Sequence, residues 1–210
     1  MVSGSWRLAV GSGLVAVLAC GVALGADAPG PAELAYRSGK AASNDDEARR
    51  HYQHGIDVAR NTLRTAPDDP GSLLWLAANM AREALTHGRV HALGVIPEIE
   101  STLLRLEQTH PLYDHAAAAR ALANLYWKAP SLISVGSSKK AASYFQLALQ
   151  RAPDYPGNQA MAAAFFADKG DCGRARPLAV EVRGRQDLDA FGPDAAEWRQ
   201  LADTALRECH

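Results

Sequence analysis

The sequence predicts an all-α fold in one domain, built from antiparallel helix hairpins with about eight or nine helices. Three observations support this prediction. Apolar residues recur at helical spacing along most of residues 26–210, a proline motif returns at intervals of about 43 residues, and no useful stretch alternates apolar and polar residues as a strand would. Alanine-rich segments at 116–119 and 162–164 add good helix and poor strand propensity.

Each copy of the motif begins with a leucine and contains a proline, Pro67, Pro111 or Pro153, and the three copies are residues 63–68, 106–111 and 149–154. The prolines follow amphipathic stretches, and a proline cannot continue a helix, so each one predicts a helix end. The apolar positions of the three stretches are Ile56, Val58, Ala59 and Leu63; Ile96, Ile99, Leu103, Leu104 and Leu106; and Ala141, Ala142, Tyr144, Phe145, Ala148 and Leu149.

A second helical pattern follows each proline motif, over residues 73–85, 115–128 and 158–168. A leading helix near residues 31–43 and a closing one over 193–207 flank the three predicted hairpins. Turn signals agree with this arrangement. Gly136 and Gly170 each lie five residues before an alanine, Ala141 and Ala175, that begins the next helix and lets its neighbour approach closely.

The first 25 residues are typical of an export signal. Arg7 is followed by a moderately apolar run over residues 8–24, which is too diluted by Gly and Ala for the ~20 strongly apolar residues of a spanning helix. Small residues at 23 and 25 favour cleavage before Ala26. The alternative is a lipobox at 17–20, which would anchor the protein to the membrane through a lipidated Cys20, and we expect soluble export ahead of it.

Either processing route leaves two of the three cysteines, Cys172 and Cys209. In an oxidising compartment these two predict a disulfide, which would close a loop of 36 residues and contribute about 3 kcal/mol to stability. The alternative is a pair of free, partly buried thiols. Residues 26–210 are thus expected to form one exported helical domain.

The charge balance argues against polyanionic partners. The chain has 22 Lys and Arg against 23 Asp and Glu, a formal net charge of −1. Removal of residues 1–25 takes away Arg7 and leaves −2. We therefore expect no binding to nucleic acid and no electrostatic binding to anionic membranes.

Paired helices, glycine-to-alanine turns and Ala-Pro-Asp at the end of a helix resemble tetratricopeptide repeats, although the spacing exceeds that family's 34 residues. More closely, residues 51–172 resemble the T component of TRAP-type transporters. The resemblance implies a periplasmic or lipid-anchored helical protein with a hydrophobic cavity, which handles a ligand beside a substrate-binding protein, and it implies no catalytic residue. The matching pieces are residues 52–55, 119–122, 126–130, 136–137, 140–141, 152–156 and Asn158.

Two polar–aromatic stripes are the candidate ligand-binding residues. Trp75, Asn79 and Arg82 share one helix face, and the same residue types return in reverse order as Arg120, Asn124 and Trp127. Both stripes could line one mostly apolar cavity, in which Asn and Arg hold a carboxylate or hydroxyl. The alternative is structural: tryptophans that pack between helices, with Asn and Arg satisfying loop carbonyls.

Other motifs do not support metal binding or catalysis. His87 and His91 are four residues apart and His51 and His54 three apart, but we find no third ligand at motif distance, and Gly88 stands where a catalytic zinc helix has glutamate. Ser137 and Lys140 have the S-x-x-K spacing but fit a helix N-cap better. We expect no metal, no cofactor and no enzymatic activity.

Two functions remain as hypotheses. One is a periplasmic, transport-accessory protein that holds a hydrophobic or amphipathic molecule, of the lipid, sterol or fatty acid class, and exchanges it with a substrate-binding protein or transporter. The other is a helical-repeat scaffold for protein–protein interaction in the bacterial envelope. An enzyme of unfamiliar mechanism is a third, reserve possibility, since clustered ionisable groups in a cleft are visible only in a structure.

Overall fold

This computed structural model describes residues 28–192 and 194–209. Within these ranges the chain forms nine α-helices and one short 3-10 helix. No strand occurs in these ranges, so the all-α prediction is confirmed. The predicted export signal, with its lipobox and Cys20, lies outside the described residues. The helices are α1 (Pro31–Ala41), α2 (Asp45–Thr65), α3 (Pro70–Thr86), α4 (Arg89–Thr109), α5 (Tyr113–Lys128), α6 (Ser138–Arg151), α7 (Pro156–Asp168), α8 (Cys172–Gly184) and α9 (Ala195–Glu208), and the 3-10 helix Leu188–Phe191 precedes α9.

The repeated prolines end helices as predicted. Helices α2, α4 and α6 each end two residues before the prolines of the motif, Pro67, Pro111 and Pro153. Proline fixes its own φ and pushes the preceding residue out of the helical region, so the helix stops just before it. Pro97 is different, because it lies inside α4 without ending the helix.

Side-chain caps fix several helix starts. Asn44, Asp69 and Asp171 each accept a hydrogen bond from the backbone N–H three residues further on. Ser137 does the same at α6, where its Oγ accepts from the backbone N–H of Lys140 at 3.2 Å. The S-x-x-K spacing therefore marks a helix N-cap.

The start of α5 departs from the sequence prediction. The helix begins at Tyr113, and Asp114, His115 and Ala116 have φ of 44°, 57° and 62°, in the left-handed region. For residues with a Cβ atom this conformation costs roughly 1–2 kcal/mol each, so surrounding contacts must hold it in place. The spacing of apolar residues predicts a helix but does not reveal that its first turn is left-handed.

The closest helix pairs differ partly from the predicted hairpins. Each of α1, α2 and α3 packs extensively on the helix that follows it, whereas α4 contacts α5 less. From α5 onward the extensive contacts are those of α5 with α6 and those among α7, α8 and α9. The pairs in this part are thus joined through Gly136 and Gly170 rather than across the prolines. A Cβ atom at Gly136 would lie 2.0 Å from the carbonyl oxygen of Ala129, so only glycine fits this turn.

The core is rich in alanine and phenylalanine. Ala141 and Ala175 are fully buried, as their predicted role at close helix contacts requires. Cys172 and Cys209 form a disulfide with their Cα atoms 5.2 Å apart, so the predicted pairing is confirmed and joins the start of α8 to the end of α9. Within the described ranges no helix combines the length and apolarity needed to span a bilayer.

Candidate functional site

The two predicted stripes contact different parts of the fold. On α3, Trp75 packs its ring 5.3 Å from that of Tyr36 on α1. On α5, Arg120 and Trp127 bond to residues of α7. The structure therefore does not bring the six residues together around one cavity, and each stripe has to be considered with its own neighbours.

Arg120 on α5 is fully engaged. Its Nη1 donates to Asn158 Oδ1 at 3.0 Å, and its Nη2 lies 3.2 Å from a carboxylate oxygen of Asp114. The guanidinium also lies 4.9 Å from the ring centre of Tyr155. These contacts hold the left-handed turn at the start of α5 and pair the charge of Arg120 with a carboxylate of its own chain.

Asn158 is the central polar residue of this region, although the sequence singled it out only through a family resemblance. It is fully buried, and its Nδ2 donates to the carbonyl oxygens of His115, Ala148 and Ala152, each at 3.1 Å. A polar residue directly after Pro-Gly at the start of an apolar helix was the available signal.

Trp127 on α5 is also in a structural position. Trp127 Nε1 donates to Asp168 at 2.9 Å, and its ring meets the edges of Phe145 and Phe165 in the core. Asn124 is half-buried on the same helix. On α5, the geometry corresponds to the structural alternative that the sequence left open.

Asn79 on α3 is fully buried but incompletely bonded. Its Nδ2 donates to the carbonyl oxygens of Trp75 at 2.7 Å and Ala32 at 3.0 Å, whereas its buried Oδ1 has no partner among the residues that the structure describes. Helix α2 passes so close that a Cβ atom at Gly55 would lie 2.5 Å from the Asn79 amide. Asn79 therefore fixes how α1, α2 and α3 meet.

Arg82 differs from Arg120 because none of the described residues forms an ion pair with it. Its side chain is partly buried, and its one hydrogen bond within the described part of the chain is a long one of 3.4 Å, from Nε to the Tyr36 hydroxyl. No ion pair of Arg82 is found within those residues. Both Nη atoms thus remain available as donors.

The groups around Arg82 keep it charged. Burial acts to lower the pKa of its guanidinium, but the oxygens of Tyr36, Glu197 and Tyr52 outweigh burial and raise it. Burial likewise raises the pKa of the Tyr52 phenol, against the opposing influence of Arg82. A cation and a neutral hydroxyl therefore lie side by side at neutral pH.

Arg82 lines a pocket of about 350 Å³ between α3 and the connection from α1 to α2. This volume is at the lower end of the range of small-molecule sites. Tyr52 and Ala48 form buried walls, Lys40 is paired with Asp194 and Glu197, and the exposed Asp45 lies at the rim. The other lining residues are Gly39, Ala42, Ser43, Asn44, Leu85 and Thr86.

A second, smaller pocket of about 140 Å³ lies between α2, α3 and α4, where Arg60 and Glu98 form an ion pair of 2.8 Å at its edge. Of the six predicted binding residues, Arg82 alone lines either pocket. The larger pocket can therefore offer a ligand one unpaired guanidinium, a phenol and short apolar walls. This combination favours an amphipathic molecule with an anionic end.

One group of metal-ligating side chains also forms, contrary to the expectation that His87 and His91 have no third ligand. Glu83, His87 and His91 bring one ligand atom each within 4.8 Å of the others. The sequence signal is Glu83, four residues before His87. The zinc-helix motif instead has its glutamate directly after the first histidine, where this chain has Gly88.

Comparison with known protein families and with curated proteins finds no match for this chain.

Proposed function

We propose that this chain is an exported, transport-accessory binding protein. It holds a carboxylate-bearing amphipathic molecule of the fatty acid class in the Arg82 pocket and exchanges it with a substrate-binding protein or transporter. The role is binding rather than catalysis. The observation that supports the proposal is Arg82 itself, a partly buried cation that lines a pocket and has no carboxylate partner among the residues described.

The physical argument starts from the cost of burying charge. A partly buried guanidinium loses hydration, and an oxyanion that accepts from both Nη atoms restores those hydrogen bonds and neutralises the charge. Arg120 receives such partners from its own chain, whereas Arg82 does not. The vacant donors of Arg82 are therefore matched to a carboxylate from outside.

The pocket walls favour a short apolar chain behind that carboxylate. Ala42, Ala48 and Leu85 contribute apolar surface between the polar side chains of the lining, and the volume of about 350 Å³ suits an acyl chain better than a sterol. The predicted export signal and the resemblance to the T component of TRAP-type transporters support a periplasmic location and a transporter partner.

Isothermal titration of the chain without residues 1–25, using decanoate as the probe, tests the proposal. Arg82→Gln should weaken decanoate binding by roughly tenfold or more, because a charge-assisted hydrogen bond contributes about 1.5–3 kcal/mol. Arg60→Gln is the matched control, since it removes a guanidinium from the edge of the smaller pocket and should leave affinity unchanged.

Decanol serves as the second control, because it keeps the chain and lacks the charge. Equal binding of decanoate by the two arginine variants, or binding of decanol as tight as that of decanoate, would contradict the proposal. Native mass spectrometry of protein from its own host should show a co-purifying acid in the unmodified chain and none in Arg82→Gln.

A second candidate, the interaction scaffold, is favoured by the loop between α5 and α6. Leu132 is 96% exposed and Ile133 72% exposed, an unusual position for two neighbouring large apolar side chains. If decanoate does not bind, a photo-crosslinker at position 132 in the living host tests this candidate. A single defined crosslinked protein that disappears with Ile133→Ser would support it.

A further inference from the structure

Three metal-ligating side chains meet where α3 ends and α4 begins. Glu83 lies in the last turn of α3, His87 is the residue that ends it, and His91 lies in the first turn of α4. Glu83 Oε1 and His87 Nε2 are 3.0 Å apart, and the rings of His87 and His91 have centroids 4.7 Å apart. One ligand atom from each residue lies within 4.8 Å of the other two.

The backbone explains why these residues converge. Glu83 and His87 are one helical turn apart and share a face of α3. Gly88 has a φ of 98°, a conformation suited to glycine, and α4 starts directly after it. The chain therefore re-enters a helix at once, and His91, one turn further on, returns to the same side as His87.

We propose that Glu83, His87 and His91 bind a zinc ion, with water completing a tetrahedral site. Two imidazoles and one carboxylate are ligands that zinc prefers, whereas Mg²⁺ and Ca²⁺ prefer sites made of oxygens. Bond lengths of about 2.0–2.1 Å in a tetrahedral site place ligand atoms about 3.3 Å apart. The Glu83–His87 distance is already close to this value.

His91 requires a shift of at most about 1.5 Å to reach the ligand spacing of a tetrahedral zinc site. Its side chain is exposed, so a change of rotamer can supply that shift without repacking the core. Glu83 is the more sheltered ligand, with 14% of its side chain exposed against 37% for His87. A bound ion would tie the end of α3 to the start of α4 from the solvent side.

Zinc titration of the untagged chain against a chromophoric chelator tests the proposal. We expect one Zn²⁺ per chain, with micromolar affinity and no competition from Mg²⁺. The double variant H87A/H91A should lose at least tenfold in affinity, and Glu83→Gln, which preserves the shape of the side chain, should also weaken binding. The matched control is H51A/H54A, which removes the other close histidine pair, on α2.

Two further measurements complete the test. Co²⁺ bound to the unmodified chain should give the visible absorption of a four-coordinate site, absent from H87A/H91A, and far-ultraviolet circular dichroism should show that all variants remain helical. Unchanged zinc affinity in H87A/H91A, or equal losses in H51A/H54A, would overturn the proposal. The Arg82→Gln variant should bind zinc normally, so this result is independent of the proposed ligand.

Discussion

Helices α3 and α5 carry the same three residue types in opposite order, and the structure uses them differently. On α5, Arg120 is paired with Asp114 and Asn158 and lies over Tyr155. On α3, Arg82 has one long hydrogen bond and lines a pocket. Residue type and spacing are alike in the two stripes, so the difference comes from the helices that pack against each of them.

The neighbours explain the contrast. Helix α7 presents Asn158 to Arg120, and the left-handed turn at α5 presents Asp114 to the same guanidinium. Helix α1 presents Tyr36 to Arg82. The neutral hydroxyl of Tyr36 cannot neutralise the charge of the guanidinium. A stripe becomes structural where its partners satisfy it, and becomes a candidate site where they leave donors vacant.

The largest effect that we expect comes from the buried asparagine beside each arginine. Asn158→Ala removes the two N–H donors that three carbonyl oxygens share, together with the acceptor for the charged Arg120. It should lower the free energy of unfolding by about 3–4 kcal/mol, at about 1 kcal/mol per N–H donor and about 1.5 kcal/mol or more for the bond to the guanidinium. Asn79→Ala removes two donated bonds together with an unpaired buried oxygen, and should cost about 1–2 kcal/mol.

Urea denaturation of both alanine variants measures this difference. The m-value, which is the slope of the free energy of unfolding against urea concentration, should stay unchanged, because neither variant alters the surface exposed on unfolding by much. Equal losses in the two variants would show that the network around Asn158 stabilises the fold no more than the half-satisfied amide on α3.

Loss of the disulfide gives the second-largest expected effect, and we expect this effect to be confined to the helices that the bond joins. The double variant C172A/C209A should lose about 3 kcal/mol, because a loop of 36 residues then gains freedom in the unfolded chain. The bond joins the start of α8 to the end of α9, whereas Lys40 at the Arg82 pocket pairs with Asp194 and Glu197 at the start of α9. Hydrogen exchange should therefore accelerate in α8 and α9, with little change in α2 and α3.

The matched measurement is the thiol count of the unmodified protein under denaturing, non-reducing conditions. The structure requires that Cys172 and Cys209 give no reactive thiol until a reductant is added. Faster exchange in α2 and α3 of the variant would mean that these helices unfold together with α8 and α9 as one unit.

Local patterns in the sequence predicted the helices. Features that depend on which residues pack against each other could not be predicted from these patterns. Pro67, Pro111 and Pro153 end helices through their own covalent geometry, so their effect can be predicted from the sequence alone. The number and extent of the helices, and the pairing of two cysteines, follow from similarly simple patterns. The helix pairs after α4 were mispredicted because packing depends on which faces meet, and spacing does not specify that.

The candidate site shows the same limit. Spacing placed Arg82 and Arg120 on helix faces, but it did not specify their partners. Tyr36 is 46 residues from Arg82 and Asn158 is 38 residues from Arg120. Asp114 is close to Arg120 in sequence but meets it only through the left-handed turn at the start of α5. Asn158 itself follows a glycine in an apolar helix, a weak signal that becomes clear only when three carbonyls converge on it. Glu83 shares a helix face with His87 one turn after it, a relation that the zinc-helix motif does not contain.

The smallest effect at neutral pH comes from Tyr155, which lies against Arg120 as Tyr52 lies near Arg82. Burial raises the pKa of the Tyr155 phenol to about 12, although Arg120 acts to lower it. The folded chain therefore holds this proton more tightly than the unfolded chain, whose tyrosines titrate near pH 10. The resulting stabilisation is complete below pH 10 and is lost as the pH rises through 12.

Tyr155→Phe keeps the ring contacts and removes the titration. At pH 7 the variant should differ from the unmodified chain by less than about 0.5 kcal/mol. Between pH 10 and 12 it should resist alkaline destabilisation better, by up to about 2 kcal/mol, as measured by urea denaturation at each pH. Tyr52→Phe is the comparison variant, and identical alkaline profiles for the unmodified chain and Tyr155→Phe would show that the Tyr155 hydroxyl ionises as freely in the folded chain as in the unfolded one.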